Sequence, residues 1–428
     1  MSVAACLAVF IFVASYTLIV SEKIHRTIVA LFGAVLMILT GILTQEQAIS
    51  YIDFNTLGLL IGMMILVTIT MQTGVFSYMA VWSAKKARGN PILLLVFLSV
   101  LTAFCSAFLD NVTTVLLMIP VTFSITADIK VPARPFIIAQ IMASNIGGTA
   151  TLIGDPPNIM IGSAVKELDF ISFLSNLGDI CLVILAVTIA IIVLIYRKDL
   201  KTTPELRRKI MNMNERSLIK KPILLKKCLT VLAMTVLMFI FHGQIGMESG
   251  TVALAGASFL MLLTLSSNTR ILENVFSRVE WTAIFFFVGL FILVGALVQT
   301  GIINELAQFT MHATKGDHTV TTMAILFLSA IMSAFVDNIP FVATMIPLIK
   351  DMGAMGMTNL EPLWWALSLG ACLGGNGTIV GASANVVAIS IASKRGCSIS
   401  FLQFMKVAFP LMMLSVCISA VYIYVRYL

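Results

Sequence analysis

The sequence predicts an all-α polytopic membrane protein built from two inverted repeats, and three observations carry that prediction. The 428-residue chain is 59% hydrophobic and only 11% charged, with a mean hydropathy of +1.03, whereas soluble domains carry about 25% charged residues. Several apolar stretches reach the roughly 20 residues an α-helix needs to cross a bilayer. The second half of the chain also repeats the first at a constant spacing of 227 residues. This composition excludes a soluble enzyme, a disordered chain and an outer-membrane barrel, whose strands alternate polar and apolar.

The repeat rests on three blocks. SAFLDNVTTVLLMIP (106–120) returns as SAFVDNIPFVATMIP (333–347) with nine identities in 15. GGTATLIGDPPN (147–158) returns as GGNGTIVGASAN (374–385) with five in 12, and GMMILVTITMQTG (62–74) as GLFILVGALVQTG (289–301) with seven in 13. All three share one register without insertion, as a duplicated architecture requires.

In the first repeat (1–196), apolar spans are expected near 2–20, 27–44, 55–80 and 177–196. The stretch 2–20 has no basic region before it and reads as a span, not a cleavable signal. Segment 92–126 has apolar limbs of about 17 and 15 residues on either side of Asp110-Asn111, which predicts a re-entrant hairpin. Segment 133–165 is broken by Gly147-Gly148 and by Gly154-Asp155-Pro156-Pro157, and two adjacent prolines forbid a continuous helix. It is expected to be one crossing made of two half-helices. Five crossings per repeat invert the second copy (228–428) relative to the first.

Charge placement agrees with that topology. The linker 197–227 holds 11 Lys/Arg against three acids, which reads as a cytoplasmic loop and not as a nucleic-acid site. With both termini outside, 23 of the 27 Lys/Arg face the cytoplasm and only Lys166, Lys315, Lys350 and Arg426 lie outside. The seven cysteines form no CxxC pair and the four histidines show no metal spacing.

Inverted repeats with discontinuous helices and polar breaks near the bilayer midplane are the pattern of secondary transporters. A charged side chain at that depth costs about 2.5–3.5 kcal/mol, so it needs a partner or a wet cavity. The candidate proton or cation carriers are Asp110, Asp337 and Asp155. Each has a structural alternative: the two hairpin acids as helix caps, and Asp155 as the start of the half-helix behind Pro156. The other candidate ligands are Asn111, Thr113, Thr114, Asn145, Gly147, Gly148, Thr149, Thr151 and Asn158 in the first repeat. In the second they are Asn338, Gly374, Gly375, Asn376, Thr378, Ser383 and Asn385. Asparagines and hydroxyls can ligate ions or close a break, and the glycines allow tight turns. Sodium sites are expected around Asn111/Asn158 and Asn338/Asn385. No cofactor is expected beyond sodium or the proton as coupling ion.

DNVTTVLLMIP followed by NIGGTATLIGDPPN resembles the ion-transporter superfamily of citrate and dicarboxylate carriers. The branch it is most similar to contains the arsenite permeases, the NhaD-type sodium–proton antiporters and the melanosomal P protein. The resemblance implies a plasma-membrane homodimer in which a scaffold part flanks an elevator-like transport part. It also implies a small-ion substrate and, as for arsenite permeases, a possible soluble ATPase subunit. In the dicarboxylate carriers each hairpin tip reads Ser-Asn-Thr; here Asp110 and Asp337 replace the serine, and Val112 and Ile339 the threonine. That change favours arsenite efflux or sodium–proton antiport over carboxylate uptake, with sodium- or proton-coupled citrate or dicarboxylate transport as the alternative. A channel is a competing class. An intramembrane aspartyl protease is disfavoured because Leu152 breaks its Gly-x-Gly-Asp motif, and no nucleotide-binding signature is present.

Overall fold

The computed structural model describes residues 2–21, 23–265 and 269–428, and among them the chain is helical with no strand. The first half runs α1 (Val3–Ser21), α2 (Arg26–Leu39), α3 (Gln45–Ser50), α4 (Phe54–Met71), α5 (Val75–Lys86), α6 (Pro91–Phe108), α7 (Asn111–Asp128), α8 (Arg134–Thr149), α9 (Pro156–Ala164) and α10 (Phe170–Tyr196). After α11 (Pro204–Met211) and one 3-10 turn, Glu215–Leu218, come α12 (Pro222–Ile245), α13 (Ser249–Thr264), α14 (Thr269–Phe276), α15 (Trp281–Gln299), α16 (Ile302–Ala313), α17 (His318–Phe335), α18 (Asn338–Ala354), α19 (Glu361–Gly374), α20 (Ser383–Lys394) and α21 (Phe401–Tyr427). Nine of these helices are long and apolar enough to cross a membrane, counted among the described residues.

The repeat seen in the sequence is also a repeat of elements. Shifting α5 and α6 by 227 residues gives the bounds of α16 and α17. Both α5 and α16 are entered through a left-handed glycine, Gly74 (φ 80°) and Gly301 (φ 78°), a conformation that costs other residues a steric clash.

Three expected boundaries are redrawn. The span at 55–80 is two helices, because α4 stops at Met71 and the chain turns at Gly74 before α5. Apolar composition continues across that turn, so hydropathy alone misses it. The span at 177–196 is the end of a 27-residue helix that begins at Phe170, capped by Asp169. Each limb of the first hairpin is 18 residues, about 27 Å of helix, longer than the apolar limbs counted in the sequence.

The basic segment 197–227 is not a loose loop. Pro222 starts α12 within it, α11 occupies Pro204–Met211, and the rest is fastened to α5 and α7. Lys85 Nζ donates to Glu215 Oε2 at 2.6 Å, Lys209 Nζ to Asp128 Oδ1 at 2.5 Å, and Lys220 N to Thr73 O at 2.9 Å. The Lys85 ammonium holds the Glu215 carboxyl below the usual carboxylate range.

Packing groups the helices into two bodies. In one, α4 lies along α13 and α2 along α15, with α1 and α12 outside them. In the other, α6 and α7 pack on α8, α17 and α18 on α19, and α10 and α21 flank them. Small residues permit the closest approaches: a Cβ on Gly62 would lie 2.5 Å from Ala253 C, and one on Gly147 only 2.1 Å from Ala103 O. Helices α8 and α19 are the innermost, with every residue buried from Pro135 to Thr149 and from Pro362 to Gly374. Gly147→Val is therefore expected to lower the unfolding temperature in detergent, by overpacking worth about 1–3 kcal/mol or more. Gly178→Ala, whose Cβ would meet only Leu174 Cδ1 at 3.4 Å, should leave that temperature unchanged.

Candidate ion-binding site

Each hairpin turns at an aspartate. Asp110 caps α7, its Oδ1 accepting from Thr113 N at 2.8 Å and its Oδ2 from the Thr113 hydroxyl at 2.5 Å. Asp337 caps α18 by accepting from Ile339 N at 3.2 Å. The capping role weighed from the sequence is thus real for both. Asp337 has further partners from two other elements: its Oδ2 accepts from Ser383 Oγ at 2.8 Å and from the Arg26 guanidinium.

The breaks between α8 and α9 and between α19 and α20 lie against those hairpin tips. The Thr151 hydroxyl donates to Ala107 O, and Thr378 Oγ1 to Ala334 O at 2.5 Å. Asn158 Nδ2 donates to Thr149 O at 3.0 Å and Thr151 O at 2.9 Å; Asn385 Nδ2 donates to Gly375 O at 2.7 Å and Thr378 O at 2.8 Å. A carbonyl freed by a break inside the bilayer must find a protein donor; Asn158 and Asn385 supply it, while the two threonines tie each break to its hairpin. Glycine is required where each break touches itself or the neighbouring hairpin helix: a Cβ on Gly154 would sit 2.6 Å from both Gly148 O and Ser106 O, and one on Gly374 2.5 Å from Ala330 O of α17. A Cβ on Gly375 would meet Gly381 O at 3.1 Å.

An amide network ties the two repeats together beside the breaks. Asn145 Nδ2 donates to Asn376 Oδ1 at 2.9 Å and to Asn385 Oδ1 at 3.0 Å, while its Oδ1 accepts from Asn111 Nδ2 at 3.1 Å. Asn158 Oδ1 accepts from Ser368 Oγ at 2.6 Å. Thr149 bonds back to Asn145 O at 2.7 Å, and the buried Thr114 hydroxyl has no partner among the described residues. The hydrogen bonds therefore join Asn111 to Asn145, and Asn338 to Asp155, while Asn158 and Asn385 turn to the carbonyls of the breaks.

Asp155 behaves differently from the other two acids. It occupies the N-cap position of α9 yet makes no capping bond. It is 1% exposed; Oδ1 accepts from Asn338 Nδ2 at 3.4 Å, and buried Oδ2 has no partner among the described residues. A buried carboxylate without a countercharge is costly, so this oxygen is a ready acceptor for a proton or a small cation.

These parts enclose a cavity of about 40 Å³, lined by Asp110, Asn111, Asp155, Asn338, Ser383, Arg26 and Glu280 with an apolar wall from Leu60, Met64 and Phe287. Arg26 and Glu280 escaped the sequence reading. In the sequence Arg26 counts only as one of the cytoplasmic Lys/Arg and Glu280 is not singled out; only a charged residue within one turn of an apolar span marks either. Among the described residues no group of three or more His, Cys, Asp or Glu could hold a metal ion.

The citrate transporter (CitMHS) family model matches residues 16–370. The 46 kDa membrane protein of Mycobacterium leprae is 39% identical over 99% of both chains. An uncharacterized transporter of Mycobacterium tuberculosis is 41% identical over 98% of both. The P protein of Homo sapiens is 33% identical over 96% of this chain and 59% of its own length. In fold, the chain is similar to the YdaH transporter of Alcanivorax borkumensis, with a TM-score of 0.59 and 13% identity over 99% of this chain and 98% of that one. The amide network predicts that Asn145→Ala lowers the unfolding temperature in detergent, since each orphaned buried partner costs about 1–3 kcal/mol. An unchanged temperature would show that the network adds nothing to the fold.

Proposed function

This chain belongs to the citrate transporter family, and from that premise we propose that it exchanges a small inorganic cation, sodium first, for protons at the cavity around Asp155. It is a multi-pass membrane transporter of that family. The observation that carries the finer reading is the charge of the cavity: Asp110, Asp155 and Glu280 face it with one guanidinium, Arg26, which is already paired with Asp337. Citrate would bring more negative charge into that space, and each like-charge pair near 4 Å costs about 4 kcal/mol at an effective dielectric of about 20. A cation would be drawn in by the same field. The unpartnered Asp155 Oδ2 gives proton and cation one place to compete.

The family's description keeps a carboxylate cargo as the second reading, with Arg26 and Ser383 as the groups that would hold it. Arsenite, neutral as the trihydroxide, needs no countercharge and is a third arm of the test. In our reading the hairpins are re-entrant and the repeats inverted. The body holding α5–α10 and α16–α21 moves against a scaffold of α1–α4 and α12–α15, and two copies associate in the plasma membrane. Both termini then lie outside and 197–227 in the cytoplasm, the arrangement the Lys/Arg tally supports.

The test is flux in liposomes that carry a proton gradient and a pH dye. Sodium is expected to collapse the gradient, whereas citrate and arsenite are not. Asp155→Asn, reconstituted at equal density, should lose that response about tenfold or more, a difference of at least about 1.4 kcal/mol. Asp110→Asn should raise the sodium concentration needed for half-maximal flux. A collapse driven by citrate, or wild-type coupling in Asp155→Asn, would sink the proposal.

A further inference from the structure

The two hairpin sites are equivalent by sequence but not by charge. Position 110 corresponds to 337, yet Asp110 has all its hydrogen bonds on its own helix, to Thr113. Asp337 instead receives the guanidinium of Arg26, whose Nη1 also donates to Ser383 Oγ at 2.7 Å. In the second repeat α13 stands where α2 stands in the first, and its sequence SGTVALAGASFLMLLT holds no Lys or Arg; the position matching Ser383 in the first repeat is Pro156. Neither partner of Asp337 therefore has a counterpart beside Asp110. Arg26 is held in place by the ring of Phe286, 4.9 Å from the guanidinium carbon. A guanidinium over an aromatic face within about 6 Å is favourable, and the single bond from Nη1 to the carboxylate is charge-assisted. The side chains of Arg26 and Asp337 are 28% and 11% exposed, so the pair is only partly screened by solvent.

We infer that Arg26 is a built-in cation that fills the second hairpin's site at Asp337, leaving the carboxylates of Asp110 and Asp155 in the shared cavity as the place where a mobile cation binds. This rests on the cation-exchange reading above. The role is specificity-determining: a tethered charge satisfies Asp337 permanently, so only one of the two duplicated sites takes a cation from solution. Two repeats thus give one transported ion. Removing the guanidinium frees the Asp337 carboxylate and the Ser383 hydroxyl, and a sodium ion takes its place.

Two measurements on the purified full-length protein in detergent test this. Equilibrium binding of radioactive sodium to the wild type is expected to saturate at one ion per chain, and Arg26→Gln to bind a second. The rise of unfolding temperature with sodium, at ionic strength held constant with choline chloride, should steepen in the same variant. Arg26→Lys, which keeps the charge, should behave as the wild type. Arg26→Gln/Asp337→Asn should return to one ion. Two ions per wild-type chain overturn the inference without any variant, and so does a folded Arg26→Gln that still binds one. No sodium binding by the wild type at all instead overturns the cation-exchange reading itself, and the inference with it.

Discussion

Backbone that leaves the helix inside a bilayer has no water to turn to, so the protein must meet every carbonyl freed there. The rest of this structure depends on how that is done. Asn158 and Asn385 each spend both amide hydrogens on carbonyls of their own break, while Thr151 and Thr378 fasten each break to the adjacent hairpin. Once closed, the breaks let α8 and α19 run buried through the protein and end next to the hairpin tips. The glycines follow from the same constraint, since at Gly154 the backbones come too close for any side chain.

Closing the breaks with asparagine and threonine leaves the carboxylates free for other work. Asp110 is used as a helix cap, Asp337 as a cap and the partner of Arg26, and Asp155 as neither. In a polar interior, a buried acid with neither a cap nor a countercharge is well placed to change its proton or cation. The amide chain from Asn111 through Asn145 to Asn376 and Asn385 fixes the surroundings of that acid, because each amide there is held by a neighbour.

Pseudo-symmetry at this site is a property of the backbone more than of the charges. The bounds of α5 and α6 and the bonds of Thr151 and Thr378 to the hairpins repeat at 227 residues, while Asp155 corresponds to Ala382 and Arg26 has no basic counterpart in α13. Duplication supplied two matching scaffolds, and single substitutions made the two sites chemically unlike.

What the sequence by itself determined was the membrane class, the helical content, the duplication and the address of nearly every polar residue near the cavity. Those are written in composition and in repeated blocks, and a mid-membrane Asp-Asn pair or a double proline is legible wherever it stands. The tertiary structure decided the rest. It turned Asn158 and Asn385 toward the breaks and left Asp155 uncapped, although both types of residue could have served either purpose. It split 55–80 at Gly74, where hydropathy does not change. It brought Arg26 and Glu280 to the cavity from the ends of distant helices, 311 residues separating Arg26 from its partner Asp337. A charge at the mouth of a span looks the same in sequence whether it faces water or a carboxylate, because only helix packing sets the direction of the side chain.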